Sequence, residues 1–151
     1  MKLTGVVIPD GVTVVEKFAF ADCRNLRSVT IPVGVTAIEG GAFKNCVSLK
    51  DVTIPNGVTA IGKFAFAGCA SLTDVTIPNG VTVIGEYAFK DCGALGGVTI
   101  PGTVKSIGKF AFWECKKLKR INFTGAKNEW EAIAERYGHW ESDCRAKVVC
   151  G

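Results

Sequence analysis

The sequence predicts a solenoid of parallel strands, made of about five stacked coils and closed at its C-terminal end by a helical cap. The prediction rests on three columns, that is, on three sets of identical residues that recur along the chain. In each column the residues are 23 positions apart, as Pro9 and Pro32 are. The columns are Pro9, Pro32, Pro55, Pro78 and Pro101, then Cys23, Cys46, Cys69, Cys92 and Cys115, then Leu3, Leu26, Leu49, Leu72, Leu95 and Leu118. A unit this short cannot bury its apolar side chains alone, so stacked coils that cover one another are the stable arrangement.

Each unit predicts the same order of local structures, which residues 49–71 illustrate. Residues 52–54 (Val-Thr-Ile) alternate in the manner of a half-buried strand. Residues 55–57 (Pro-Asn-Gly) end the strand and form a turn, because proline lacks an N–H group for a strand ladder. Val58 and Ile61 then return to the core, and residues 64–66 (Phe-Ala-Phe) follow them there, so that nine apolar columns of each coil are expected to face inward.

The repeat pattern stops near residue 124, and a cap is predicted beyond it. Asn128 and Glu131 have the spacing of a capping box, and Gly138 is a plausible stop signal, which predicts a helix over about 128–137. Its apolar face would hold Trp130, Ile133 and Tyr137. Trp140 and a strand over about 146–150 would complete the cover of the last coil.

Two units follow from this pattern, a solenoid at 1–124 and a cap at 125–151. The coils of the solenoid start near Leu3, Leu26, Leu49, Leu72 and Leu95, with a partial coil from Leu118. Nothing comparable to the cap precedes Leu3, so the first coil should present an uncapped edge. We hypothesise that upstream sequence is absent or that this edge pairs with another molecule, including a second copy of the chain.

The recurring pattern Leu-x-x-Val-x-Ile-Pro, Val-x-x-Ile-Gly, Ala-Phe-x-x-Cys resembles the BspA-like subfamily of bacterial leucine-rich repeats over residues 3–124. The resemblance implies an α/β leucine-rich-repeat solenoid wound as a right-handed superhelix. It also implies a non-catalytic protein-interaction or adhesion module, at the cell surface or secreted, with a host or cell-surface protein as partner. The asparagine that general leucine-rich repeats carry after the strand is replaced by Gly11, Gly34, Gly57, Gly80 and Thr103, so no asparagine ladder is expected.

Composition narrows the classes of partner. A net charge of +4 is too small to indicate nucleic-acid binding without a concentrated patch. The basic residues of the last full coil could attract an acidic surface or a polyanion, but a solvated edge is the favoured interpretation. They are Lys105, Lys109, Lys116, Lys117, Lys119 and Arg120. No apolar run has the length of a membrane span, and residues 1–5 do not resemble a signal peptide, so the compartment stays open. An intracellular interaction or regulatory protein is the alternative function.

No catalytic, metal or cofactor site is predicted. The cysteine column lies beside a phenylalanine column, which is typical of small buried thiols rather than disulfides or ligands. The arrangement of His139 near Cys144 is the only one that offers a nucleophile and a base, and a surface or packing histidine is its ordinary explanation. Cys144 and Cys150 could form a bridge or pack separately, and the sequence does not decide between these alternatives.

The candidate binding surface is the row of outward positions on the strands, together with the basic residues beside it. Its predicted residues are Arg27, Ser28, Thr30, Asp51, Thr53, Asp74, Thr76, Thr99, Lys119 and Arg120. The four threonines would form a ladder, which the preference of threonine for strands explains equally well.

Overall fold

The computed structural model describes residues 2–137 and 146–151, and it shows a parallel-strand solenoid with a C-terminal helix. Strands of successive coils pair in parallel, and each residue lies opposite the equivalent residue of the next coil, for example Ser28 opposite Asp51. The predicted fold class is therefore confirmed. The elements are β1 (Gly5–Val7), β2 (Val14–Val15), β3 (Ser28–Thr30), β4 (Ala37–Ile38), β5 (Asp51–Thr53), β6 (Ala60–Ile61), β7 (Asp74–Thr76), β8 (Val83–Ile84), β9 (Gly97–Ile100), β10 (Ser106–Ile107), β11 (Arg120–Phe123), α1 (Lys127–Tyr137) and β12 (Lys147–Cys150).

Each coil contributes one strand to an outer sheet and a shorter strand to a second sheet. Between them the proline carbonyl closes a turn, as where Val58 donates its N–H to Pro55 at 3.1 Å. After the second strand, successive tight turns bring the chain back, with the N–H of Ala65 bonded to Gly62 and that of Cys69 to Phe66. The outer sheet consists of two parts, with the strand orders β1-β3-β5 and β7-β9-β11-β12, and β2, β4, β6, β8 and β10 form the second sheet.

The core is a set of side-chain columns that run along the solenoid. Phe43, Phe66, Phe89 and Phe112 are fully buried, and their rings stack with centroids 5.3 to 5.5 Å apart. Removing one such ring from water contributes about 1.5–3 kcal/mol. The stacked-coil arrangement predicted from the repeat is thus the arrangement that forms the core.

The prediction that Phe64 lies in the core is wrong. Its backbone has a φ of 59°, in the left-handed region, and its side chain is only half-buried. A positive φ reverses the direction in which the Cβ leaves the backbone relative to the adjacent residues. The Phe64 side chain therefore points outward, whereas that of Phe66 points into the core. Phe18, in the same column, is 61% exposed.

Three glycines have a role that the sequence pattern did not indicate. Gly62, Gly85 and Gly108 lie where the backbones of adjacent coils nearly touch, and a Cβ at Gly85 would stand 2.6 Å from the nitrogen of Lys63. Glu16 and Glu39 hold this column in the first two coils, so the close approach begins with the third coil. Only a residue without a side chain fits there.

The outer sheet is divided between β5 and β7, whereas the second sheet is continuous. The register of the neighbouring coils would place Asp51 directly opposite Asp74 if these strands paired. This is the one strand junction of the sequence where two carboxylates would be opposite neighbours, and like charges in such pairs are destabilising. The break therefore falls at the junction where two carboxylates would face each other, although the like-charged Arg120 and Lys147 are tolerated as opposite neighbours in the paired strands β11 and β12.

Asp74→Asn is expected to draw β5 and β7 together and to raise the free energy of unfolding by up to about 1 kcal/mol. Two backbone hydrogen bonds should form, one from the Ile54 N–H to the Thr76 carbonyl and one from the Thr73 N–H to the Lys50 carbonyl. The next pair of coils has the equivalent bonds, from Ile77 to Thr99 and from Gly96 to Thr73. Hydrogen exchange of the Ile54 and Thr73 amides should slow. Glu16→Gln removes a charge at another exposed position and is the control; equal exchange in both variants would contradict this account.

The cap begins slightly differently from the prediction. Helix α1 starts at Lys127, and Glu129, rather than Glu131, reaches back to accept the Ala126 N–H at 3.1 Å. The capping box of Asn128 with Glu131 is therefore wrong; Glu131 instead lies 3.8 Å from the Lys127 ammonium. Trp130 and Ile133 are buried, as predicted, and β12 pairs with β11 at the end of the sheet. Gly138 and Trp140 lie outside the described residues, as does the side chain of Tyr137.

Candidate interaction surfaces

The outward side chains of β3, β5, β7, β9 and β11 form one surface, which we call the outer face. The structure brings the predicted site residues together on it. Cross-strand partners are Ser28 with Asp51, Thr30 with Thr53, and Thr76 with Thr99. The break between β5 and β7 divides the predicted ladder of four threonines into two pairs. Arg27 immediately precedes β3, and Lys119 immediately precedes β11. Among the predicted site residues, Thr99 is half-buried. The others are exposed: Arg27, Ser28, Thr30, Asp51, Thr53, Asp74, Thr76, Lys119 and Arg120.

The charges of the outer face form no ion pair with any side chain that the structure describes. Within residues 2–137 and 146–151, the ion pairs all lie elsewhere, for example Lys63 with Glu86 at 3.5 Å and Lys105 with Glu129 at 3.2 Å. Asp51 and Asp74 give the middle of the face a negative charge, and basic side chains follow on both sides of it. These basic residues are Arg27 and Lys50 on one side, and Lys119, Arg120 and Lys147 on the other.

A groove of about 440 Å³ opens on this face at the break in the sheet. Asp51, Thr53, Asn56, Asp74 and Thr76 contribute its polar lining. Sequence reasoning missed this groove because it assumed a continuous sheet. The signal that could have indicated it was the pair Asp51 and Asp74, which hold equivalent positions in adjacent units.

A second, apolar surface lies at the N-terminal end of the solenoid, which we call the N-terminal face. It contains a cavity of about 280 Å³ lined by Val6, Ile8, Val12, Val15 and Phe20, among others. In the described part of the chain, no strand pairs with the outer edge of β1 or β2. The opposite end differs, because α1 and β12 cover the last coil there.

An aromatic ridge of Phe64, Tyr87, Phe110 and Trp113 runs along a third side. The Phe64 and Tyr87 rings stack at 4.8 Å, Tyr87 and Phe110 at 5.5 Å, and Trp113 is tilted against both Tyr87 and Phe110. The first three have positive φ, which costs about 1–2 kcal/mol each. Stacking returns about 0.5–1.5 kcal/mol per pair, and the Lys90 ammonium lies 5.2 Å from the Trp113 ring. The ridge therefore offsets part of its own backbone strain.

The repeated cysteines are free thiols that face the core, as predicted. Four of them donate their S–H to the backbone carbonyl of a phenylalanine in the preceding coil; they are Cys46, Cys69, Cys92 and Cys115. The sulfur of Cys69, for example, lies 3.3 Å from the Phe43 oxygen. Burial raises the pKa of Cys46 from its ordinary 9.0 to about 12, and the Cys23 thiol adds to this effect. Burial also raises the pKa of Cys69, while a hydrogen bond with Cys115 and burial raise that of Cys92. These thiols are poor nucleophiles.

The raised pKa values predict a loss of stability at alkaline pH. Above about pH 9 such a thiol ionises in the unfolded chain but stays protonated in the folded one, so its ionisation favours the unfolded state. The free energy of unfolding should therefore be unaffected by these thiols below about pH 8 and should fall progressively between about pH 9 and 12. Urea unfolding across this range measures it. The Cys46→Ala variant should lose less stability than the parent, and an equal loss would contradict the assignment.

No metal or nucleophilic centre is formed within the described ranges. Three His, Cys, Asp or Glu side chains that could hold one ion do not occur together in residues 2–137 and 146–151. His139 and Cys144 lie outside those ranges, so the structure does not test the arrangement of these two residues or a bridge from Cys144 to Cys150. In the part of the chain that is described, helices fall short of the length and apolarity that crossing a bilayer requires.

Comparison with known proteins identifies the family. The family model for the BspA type leucine rich repeat region matches residues 1–119 with six copies. The chain belongs to the BspA-type leucine-rich-repeat family. This family assignment confirms the resemblance drawn from the Pro, Cys, Phe and Leu columns. No curated protein matches the chain.

Solved structures of leucine-rich-repeat proteins share the fold. A leucine rich cell surface protein from Faecalibacterium prausnitzii is 39% identical, with a TM-score of 0.83 over 85% of this chain and 34% of that one. A leucine-rich repeat protein from Bacteroides ovatus is 31% identical, with a TM-score of 0.60 over 79% of this chain and 39% of that one. The T. pallidum leucine-rich repeat protein is 27% identical, with a TM-score of 0.69 over 99% of this chain and 86% of that one. The chain thus spans about a third of the length of the F. prausnitzii protein.

Proposed function

We propose that this chain is a non-catalytic module that binds a protein partner through its outer face. The observation that carries the proposal is the row of exposed polar and charged side chains whose charges, among the described residues, form no ion pair within the chain. Charges left unpaired on a rigid sheet are available to a partner at little conformational cost. The groove at Asp51 and Asp74 adds a concave feature to a surface that is otherwise flat.

The test is binding by charge-reversed variants of the outer face. A partner captured from cell extracts with the immobilised chain would be purified and its dissociation constant measured against each variant. Asp51→Lys with Asp74→Lys, and separately Arg120→Glu, should weaken binding at least tenfold while thermal unfolding stays within a few degrees. Asp10→Lys, in an exposed turn, is the matched control and should bind like the parent. Full binding by both outer-face variants would refute the proposal.

We further propose that the module acts in adhesion at a cell surface. Support comes from the F. prausnitzii relative, which is described as a cell surface protein. Beads coated with the parent chain should adhere to partner-bearing cells, and beads coated with the Asp51→Lys, Asp74→Lys variant should not. Equal adhesion of the two coatings would exclude an adhesive role for the outer face.

The N-terminal face supports a second proposal, self-association of two copies. Because α1 and β12 cover the other end, two copies that associate through this face would meet with their N-terminal faces, related by a two-fold axis, and the assembly would close as a dimer. Light scattering should show a dimer for the parent and a monomer for Val7→Lys, which places a charge at an exposed position of the outermost strand. Thr59→Lys is the control, because Thr59 is exposed and lies just before β6, away from the N-terminal face. A parent that stays monomeric at high concentration would overturn the proposal.

A further inference from the structure

Two turns of this protein have the same sequence but different surroundings. Residues 54–59 and residues 77–82 both read Ile-Pro-Asn-Gly-Val-Thr, and Asn56 and Asn79 are the only asparagines followed by glycine. Both asparagines are exposed. An Asn-Gly pair is the sequence in which the asparagine side chain is most open to attack by the next backbone nitrogen, because glycine adds no steric hindrance. Any difference in reactivity between the two must therefore come from the fold.

The difference lies at the glycine nitrogen. Gly80 donates its N–H to Thr103 Oγ1 at 3.2 Å, and the Thr103 hydroxyl donates in turn to the Val81 carbonyl at 2.9 Å. The residue in the position of Thr103 for the preceding turn is Gly80, which has no side chain. Among the described residues, Gly57 N–H consequently has no hydrogen-bond acceptor. The closing bonds of the two turns are alike, with Val58 to Pro55 at 3.1 Å and Val81 to Pro78 at 3.3 Å.

We propose that Asn56 is a site of spontaneous covalent modification, in which the free Gly57 nitrogen converts it to aspartate and isoaspartate. The Gly57 N–H loses its proton to hydroxide, and the nitrogen attacks Cγ of Asn56. A C–N bond forms, the bond from Cγ to the side-chain nitrogen breaks, and that nitrogen takes a proton from water, which regenerates hydroxide, and leaves as ammonia. Water then opens the cyclic imide at either of its two carbonyls. The reaction is a hydrolysis overall and requires no oxidant or cofactor.

The hydrogen bond at Gly80 protects Asn79 from the same reaction. The nitrogen can attack only when the turn opens and the N–H is released, and at Gly80 release also breaks the bond to Thr103. A net hydrogen-bond energy of ~1 kcal/mol corresponds to a conversion about fivefold slower at Asn79 than at Asn56.

Conversion changes the outer face. Asn56 lines the groove that also contains Asp51 and Asp74, so its modification adds a third carboxylate there. The isoaspartate product also lengthens the backbone of the turn by one carbon. The protein thus carries a position at which age alters the charge and shape of one surface.

The experiment follows both asparagines in one sample. The folded chain is incubated at mildly alkaline pH and digested with trypsin, which separates Asn56 in peptide 51–63 from Asn79 in peptide 64–90. Mass spectrometry then measures the replacement of the side-chain NH₂ by OH in each. Asn56 should convert about fivefold faster than Asn79 in the folded protein, and the two rates should be equal in urea.

Thr103→Val is the decisive variant, because it removes the hydroxyl and keeps the shape of the side chain. It should raise the rate at Asn79 to near that of Asn56 and leave Asn56 unchanged. This variant also separates the hydrogen bond from backbone conformation, since Gly80 has a φ of 104° whereas Gly57 is not in the left-handed region. Equal rates in the folded parent, or no change at Asn79 in a folded Thr103→Val protein, would overturn the proposal.

Discussion

Phe66→Ala is expected to lower the free energy of unfolding by about 3–5 kcal/mol. The ring is fully buried and lies between Phe43 and Phe89, with centroid distances of 5.3 Å to each. Removing it opens a cavity in the middle of the stack and deprives two neighbouring rings of a contact face. Urea unfolding followed by circular dichroism measures the loss. Because each coil contacts only its neighbours, the transition should also broaden as the two halves of the solenoid uncouple.

Phe18→Ala is the matched control for the same chemical change. Phe18 is 61% exposed, so its removal creates no cavity and should cost less than about 1 kcal/mol. A Phe66→Ala protein as stable as Phe18→Ala would mean that the buried column does not hold the coils together, and the account of the core given above would be wrong.

The sequence was sufficient to predict the fold because its signal is repeated. In a column such as Phe43, Phe66 and Phe89, the same residue type fills the same core position in successive coils. Because the pattern recurs, it can be distinguished from chance. The alternation of residues 52–54 likewise predicted which side chains of a strand face outward. For this reason the predicted outer-face residues lie together in the structure, although their role in binding remains a proposal.

What the sequence did not yield depends on backbone geometry that residue types encode weakly. Phe64 looks like a core residue, and its outward position follows from a φ of 59° that aromatic residues rarely adopt. The second left-handed position of the first four coils is held by the types that tolerate it better, such as Asp22, Asn45 and Gly68, whereas Glu114 holds it in the fifth. A pattern of apolarity alone cannot distinguish these two cases.

The break in the outer sheet arises from an interaction between coils rather than within one. Asp51 and Asp74 are each unremarkable in a strand, and repulsion appears only when the register places one opposite the other. The groove, and the position of Asn56 beside it, follow from that pair. The groove depends on two adjacent units, so the sequence of a single unit does not indicate it.

Gly85→Ala is expected to destabilise the solenoid by about 3 kcal/mol, near the upper end of what overpacking usually costs. An added Cβ would stand 2.6 Å from the nitrogen of Lys63 and 2.7 Å from the carbonyl carbon of Gly62. Both are backbone atoms, so no side chain can rotate away to make room. Moving the coils apart would in turn stretch the bond from Gly85 N–H to the Ile61 carbonyl, now 2.8 Å. The clash and the hydrogen bond therefore act on the same pair of coils.

Gly93→Ala separates this clash from the general effect of replacing glycine. A Cβ at Gly93 meets nothing within 4 Å, and the backbone there lies outside the left-handed region. Alanine at that position should be neutral or stabilising by a few tenths of a kcal/mol, because it restricts only the unfolded chain. Glu39 occupies the position of Gly85 two coils earlier, and its N–H bonds the Val15 carbonyl at 2.9 Å. If thermal unfolding gave Gly85→Ala and Gly93→Ala equal stability, the later coils would have to accommodate a side chain at that position at no cost.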